Sequence, residues 1–144
     1  MESLLSNRVL VGCVVAWVLA QVSKPIIYLI RHHRLDLRYL ATAGGMPSSH
    51  SAVVCALATG IGLESGLDST LFAIGVIFAA VVMYDAAGVR RAVSVQARIL
   101  NRMLTEMIEA QHFNETRLRE LIGHTPLEVF VGALLGTLTA ISLG

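Results

Sequence analysis

Gly44-Gly45-Met46-Pro47-Ser48-Ser49-His50-Ser51 divides a basic segment from a long apolar run, Ala52 to Leu63. Glycines let a backbone approach a ligand closely. Pro47 cannot continue a helix from before it, but it suits the start of one. Ser48 or Ser49 can cap the free N–H groups of that helix. A helix start with spare N–H groups and hydroxyls attracts anions. His50 falls in its first turn, placed to donate a proton to an oxygen held there. Taken alone, the octapeptide reads equally well as a capped turn with a surface histidine. A second histidine breaks that tie, because Gly123-His124-Thr125-Pro126-Leu127-Glu128 also opens an apolar helix.

The 144 residues make one domain, 1–144. A hydrophobic share of 55% and a mean hydropathy of +0.69 exceed what soluble proteins carry, which directs attention to membrane spans. The formal net charge is only +1 and no nucleic-acid motif is present, so no nucleic-acid partner is expected. Ten arginines accompany a single lysine, Lys24. Cys13 and Cys55 lie inside apolar runs and read as small buried hydrophobes, neither metal ligands nor a disulfide framework. The first apolar run lacks a convincing cleavage site and reads as a retained span.

Four spans are expected: Val9 to Ile30, Pro47 to Leu63, Thr70 to Ala87 and Pro126 to Leu143. The second is short, roughly 25 Å as a helix. Ala52, Ala56 and Gly60 in it, and Gly132 and Gly136 in the last, recur at four-residue spacing and suit close helix packing. Between the third and last spans, Val89 to Gln111 places Val93, Ala97, Leu100, Leu104 and Met107 on one face and arginines on the other. It reads as an amphipathic helix in the interface or under the bundle. His112 to Leu121 reads as a polar connector. The fold class is therefore all-α, a membrane bundle of about four transmembrane helices plus one amphipathic helix.

Lys24 lies inside the first span, where a charge is expensive and by default functional. The alternative is that it snorkels to the interface. Arg31 follows seven residues later, two turns on along the same face. Asp85 ends the third span beside Arg90 and Arg91; it is either neutralised by them or orients one towards a site. His32 and His33 are adjacent, point to different helix faces, and read as an interfacial pair. With four spans, nine of the ten arginines fall on one side of the membrane. The positive-inside rule makes that side cytoplasmic. Lys24, Arg31, His50, Asp85, Arg90, Arg91 and His124 all end on that same face.

Two histidines at helix starts, a lysine and several arginines describe a phosphate site. Cations neutralise phosphoryl oxygens as charge develops. One histidine attacks phosphorus and the other protonates the leaving oxygen. Glu128, one turn after His124, can accept from the ring's other N–H and fix its tautomer. Such a site needs no metal and no cofactor.

The residues in these segments resemble the type-2 phosphatidic acid phosphatase (PAP2) superfamily, which includes vanadium-dependent haloperoxidases. They resemble most closely its short divergent branch of membrane proteins. Lys24 and Arg31 match the superfamily's first motif, with His32 in the place of a proline. Pro47-Ser48-Ser49-His50 matches the second, with Ser49 in the place of a glycine. His124 and Glu128 match the end of the third, with Glu128 for an aspartate and Leu118 where an arginine is usual. The likeness to the divergent branch runs over nearly the whole chain, through Gly44 to Ser51, Tyr84 to Arg91, Asn101 and Gly123 to Val129.

The resemblance implies a PAP2-like bundle acting on a lipid phosphate or diphosphate, with His124, His50 and Glu128 catalytic. Lys24, Arg31, Ser48, Ser49, Arg90 and Arg91 would bind phosphate, supported by Asp85, Gly44 and Gly45. Arg90 or Arg91 can replace the missing arginine; Arg117 and Arg119 are further candidates. The rival expectation is a non-catalytic phosphate- or phospholipid-binding membrane protein that keeps the fold. A haloperoxidase fits less well, because the chain is short and apolar. The expected partners are a membrane lipid phosphate, the bilayer itself and a second copy of the chain, since four spans are few to enclose a site.

Overall fold

A computed structural model describes residues 6–34, 36–41, 44–110 and 124–144, without side chains at 37, 41, 89–95, 98 and 106–110. The described residues are helical: α1 Arg8–His32, a 3-10 turn Leu37–Ala41, α2 Ser49–Ser65, α3 Thr70–Ala110 and α4 Pro126–Leu143. The chain enters α1 through Asn7, whose side chain accepts from the Leu10 amide. It leaves through His33, which takes the left-handed conformation at φ 52° and returns its N–H to the Leu29 carbonyl. Pro25 lies inside α1 and the helix runs through it. Tyr28 stacks on Tyr39 with ring centroids 4.3 Å apart, which ties the 3-10 turn back to α1.

Helix α2 is the centre of the bundle and packs against α1, α3 and α4. Its neighbours approach through small side chains. The principal core is Cys13, Ala16, Ala20, Ala52, Ala56 and Ala140. A Cβ built on Gly132 would run into the Ser48 backbone, and one on Gly136 into the Ala52 backbone. The two small-residue stripes expected from the sequence therefore meet each other, with α2 and α4 running parallel. Gly60 lies against Val9, and Gly75 against Ala58. These contacts make α1 and α3 antiparallel to α2.

Large apolar side chains point the other way. Trp17, Ile30, Leu71, Ile77, Phe130 and Leu138 are among those exposed. An alanine and glycine interior with leucine, isoleucine and phenylalanine outside suits a surface surrounded by lipid, where helices associate through close backbone approach.

One expectation is met in part and one changes. Helices α1, Thr70–Gly88 of α3, and α4 are long and apolar enough to cross a membrane. Helix α2 has 17 residues and falls just below that length, so three helices rather than four meet it among the described residues. The expected break between a third span and a separate amphipathic helix is also absent. α3 is one helix of 41 residues, about 60 Å at 1.5 Å per residue. Gly88 weakens a helix interior by only about 1 kcal/mol relative to alanine, too little to stop a helix without a cap. The amphipathic portion is thus continuous with the apolar one. The His112 to Leu121 connector, with Arg117, Leu118 and Arg119, lies outside the described residues.

Candidate functional site

The starts of α2 and α4 meet at one end of the bundle. Ser48 caps α2: its Oγ accepts from the Ser51 amide at 3.3 Å and lies 3.1 Å from the Ser51 hydroxyl. Of the two serines that could cap, Ser48 does so and Ser49 is the first helical residue. The amides of the first turn have no intrahelical acceptor. The cap satisfies that of Ser51, which leaves those of Ser49 and His50 at the site. The Ser48 N–H donates to the Glu128 carbonyl at 2.9 Å, and the His124 N–H to the Ala86 carbonyl at 3.2 Å. Three helices are therefore tied together at backbone level beside the two histidines.

Thr125 caps α4 in a reciprocal box. Its Oγ1 accepts from the Glu128 amide at 3.2 Å, and Glu128 Oε2 accepts from the Thr125 amide at 2.8 Å. This fixes the Glu128 carboxylate against His124, whose Nδ1 is 3.4 Å from Oε2. At that length Nδ1 makes no formed hydrogen bond, and among the described residues it has no other partner. On the ring's other side, His124 Nε2 is 3.4 Å from His50 Nδ1, with the rings edge to face. The result is a line, Glu128 to His124 to His50. His124 is 2% exposed whereas His50 is exposed to solvent.

Burial holds the His124 imidazole below the ordinary histidine range, and the positive influence of His50 and Lys24 adds to that. Glu128 pulls the other way. The ring is thus neutral at pH 7.

Lys24 is 2% exposed, on the face of α1 that meets the core, and the charge of Glu128 reaches it. The side chain passes under Gly45, where a Cβ would lie 4.0 Å from Lys24 Cδ. Gly45 has φ +96°, a conformation that favours glycine. Gly44 and Gly45 are half-buried, and Ser48 and Ser49 are buried. The structure thus gathers Lys24, Gly45, Ser48, His50, His124 and Glu128. Arg31 and Asp85 are exposed, and no contact joins either to the histidine pair among the described residues. The side chains of Arg90 and Arg91 lie outside the described residues. Among the described residues no three His, Cys, Asp or Glu side chains cluster as metal ligands would.

Four residues escaped the sequence reading, among them Thr125, whose side chain completes the α4 capping box. Ser51 is fully buried against the Ser48 hydroxyl. Ala86 contributes only a carbonyl, which leaves no trace in a side-chain pattern. Gln21, one turn before Lys24, has a buried Oε1 with no partner among the described residues; the i, i+3 relation to Lys24 could have singled it out.

An alanine-cored membrane bundle with paired histidines at two helix starts defines a class, and the chain belongs to it. A model of the Divergent PAP2 family matches residues 5–139, so this is a member of that family and an integral membrane protein. It is 44% identical over 151 residues to the uncharacterized membrane protein YuiD of Bacillus subtilis (strain 168), covering 97% of this chain and 96% of the relative. No solved structure matches the chain.

Proposed function

We propose that this protein is a membrane phosphohydrolase acting on a lipid phosphate or polyprenyl diphosphate, with its site at the cytoplasmic face. The observation that carries the reading is the line of Glu128, buried His124 and exposed His50, with Lys24 beneath it. Glu128 favours the tautomer with the proton on Nδ1 of His124, which leaves the Nε2 lone pair free. Nε2 attacks phosphorus and the bond from phosphorus to the ester or diphosphate oxygen breaks. His50 gives that oxygen its proton. Water then cleaves the P–N bond of the phosphohistidine, with His50 accepting the water's proton. A phosphoryl group between the rings requires them to part, and exposed His50 is the one free to turn. Lys24 and the amides at the start of α2 face the phosphoryl oxygens. Arg31, Arg90 and Arg91 belong to the proposed phosphate clamp through their place on this face. A substrate whose tail stays in the bilayer suits a site at the ends of spans.

The test is phosphate release in detergent micelles by wild type and His124→Ala, from phosphatidic acid, phosphatidylglycerol phosphate and polyprenyl diphosphate. Release that survives EDTA, is blocked by vanadate and is lost in His124→Ala is expected from at least one substrate. Equal release by both proteins would overturn the assignment.

A second reading has its own support. Glu128 Oε2 already accepts from the Thr125 amide, and its approach to His124 is too long for a formed hydrogen bond. A carboxylate tied into a helix cap is less free to follow the His124 ring through a reaction, which suits a protein that binds a phosphate group without turning it over. That reading predicts saturable, Lys24-dependent binding of anionic lipid and no release from any substrate.

A further inference from the structure

At the end of the bundle away from the histidines, a cavity of about 250 Å³ lies between α1, α2 and α4. Gly12, Ala56 and Ala140, all buried, are among its lining residues, with Val9, Gly60 and Leu63 beside them. Exposed Arg8 and Glu64 mark its mouth. The volume equals roughly eight water-sized groups, a segment of hydrocarbon chain rather than a whole lipid.

Two independent features argue that the space is kept open for a ligand. First, Gly12 is buried, yet a Cβ built on it would meet nothing within 4 Å. The close approaches of Gly132 and Gly136 forbid a side chain; Gly12 has no such reason to be glycine. Glycine weakens a helix interior relative to alanine, and what it preserves here is empty volume. Second, the mouth carries one charge of each sign, and the described structure records no ion pair between them. Arg8 instead donates to the Gly144 carbonyl at 3.3 Å. A planar guanidinium matches a phosphate, and a carboxylate matches a primary ammonium that donates hydrogen bonds.

We propose that this cavity seats the head and upper chain of an aminophospholipid, with the phosphate of a phosphoethanolamine head on Arg8 and its ammonium on Glu64. The ligand is bound in the leaflet opposite the histidine site and is not its substrate.

Native mass spectrometry of the full chain, purified in detergent and titrated with acyl-matched phospholipids, tests this. One phosphatidylethanolamine per chain is expected to be retained at least fivefold better than phosphatidylglycerol or phosphatidylcholine. Gly12→Leu fills the space and abolishes retention while the thermal midpoint holds or rises. Gly88→Leu, whose added side chain also starts in open space, leaves retention unchanged. Arg8→Gln and Glu64→Gln, which leave the interior intact, each erase the headgroup preference. His124→Ala binds as wild type does, so the outcome is separate from that of the phosphatase reading. Equal retention of all three lipids, no retention of any, or retention that survives Gly12→Leu would each overturn the proposal. Gly12→Ala, which adds one unopposed methyl group, keeps the test decisive if the leucine variant does not fold; it is expected to weaken retention partially, and unchanged retention counts against the site.

Discussion

His124 is buried as few histidines are, and its chemistry follows from that. Burial opposes the charged ring, so the neutral form extends below the ordinary histidine pKa of about 6.5. A group with a depressed pKa in the folded state contributes stability that is present above the unfolded value and lost as pH falls through the folded one. Two expectations follow for the acid side. The rate of phosphate release holds down to below about pH 6.5 before it falls, and Glu128→Gln, which removes the one influence raising the His124 pKa, moves that acid limb to still lower pH while lowering the plateau. A pH–rate profile of both proteins checks this; a limb that stays in place or moves up contradicts it. His50→Ala removes the proposed general acid and is expected to cost about 10²–10⁴ in rate. Lys24→Met separates function from folding. The apolar replacement fits a buried position in a span, so a thermal midpoint at or above that of wild type is expected together with lost phosphate affinity. A large drop in midpoint would instead make Lys24 a structural residue. At this scale the sequence showed the two histidines, Lys24 and Glu128, because each is a rare polar residue at the edge of an apolar run. It could not show that the Glu128 carboxylate is shared between a cap and a histidine.

The elements are held by caps and by stripes of small residues; the Ser48 cap and the stripes were legible as local patterns, whereas the Thr125–Glu128 box went unread. Ser48, Thr125 with Glu128, and the glycines of α4 act within a few residues of one another or against one neighbouring helix. Replacing the Ser48 cap by alanine is expected to cost about 1 kcal/mol, read as a fall in the thermal midpoint in detergent. Gly136→Leu should be far worse, because the added carbon would meet the Ala52 backbone, which cannot step aside as a flexible side chain can. A folded, equally stable Gly136→Leu protein would refute the parallel packing of α2 on α4. Helix α3 was harder to read. Gly88 and the change from an apolar to an amphipathic pattern suggested two helices, but pattern reports the surroundings of a helix rather than its continuity. The same backbone passes from lipid to the charged face without a cap or a proline to end it.

For the whole molecule, the bundle separates two ends. One gathers the histidines, Lys24 and the starts of α2 and α4. The other carries the cavity between Arg8 and Glu64. No short sequence pattern could reveal that cavity, since its walls come from three helices far apart in the chain. The proposed topology rests on the charge asymmetry. With the histidine end cytoplasmic, a cysteine placed at Arg34 in a cysteine-free background should be shielded from an impermeant maleimide in intact cells, and one at Asp68 should react; the reverse labelling would invert the protein. The central claim is that His124 attacks phosphorus, and the most direct measurement is labelling with a substrate carrying radioactive phosphate, quenched in alkaline detergent. Acid-labile, base-stable label mapped to His124 in wild type and missing from His124→Ala is the predicted result. Phosphate release with no label on His124, or no label and no release from any lipid phosphate, would contradict it.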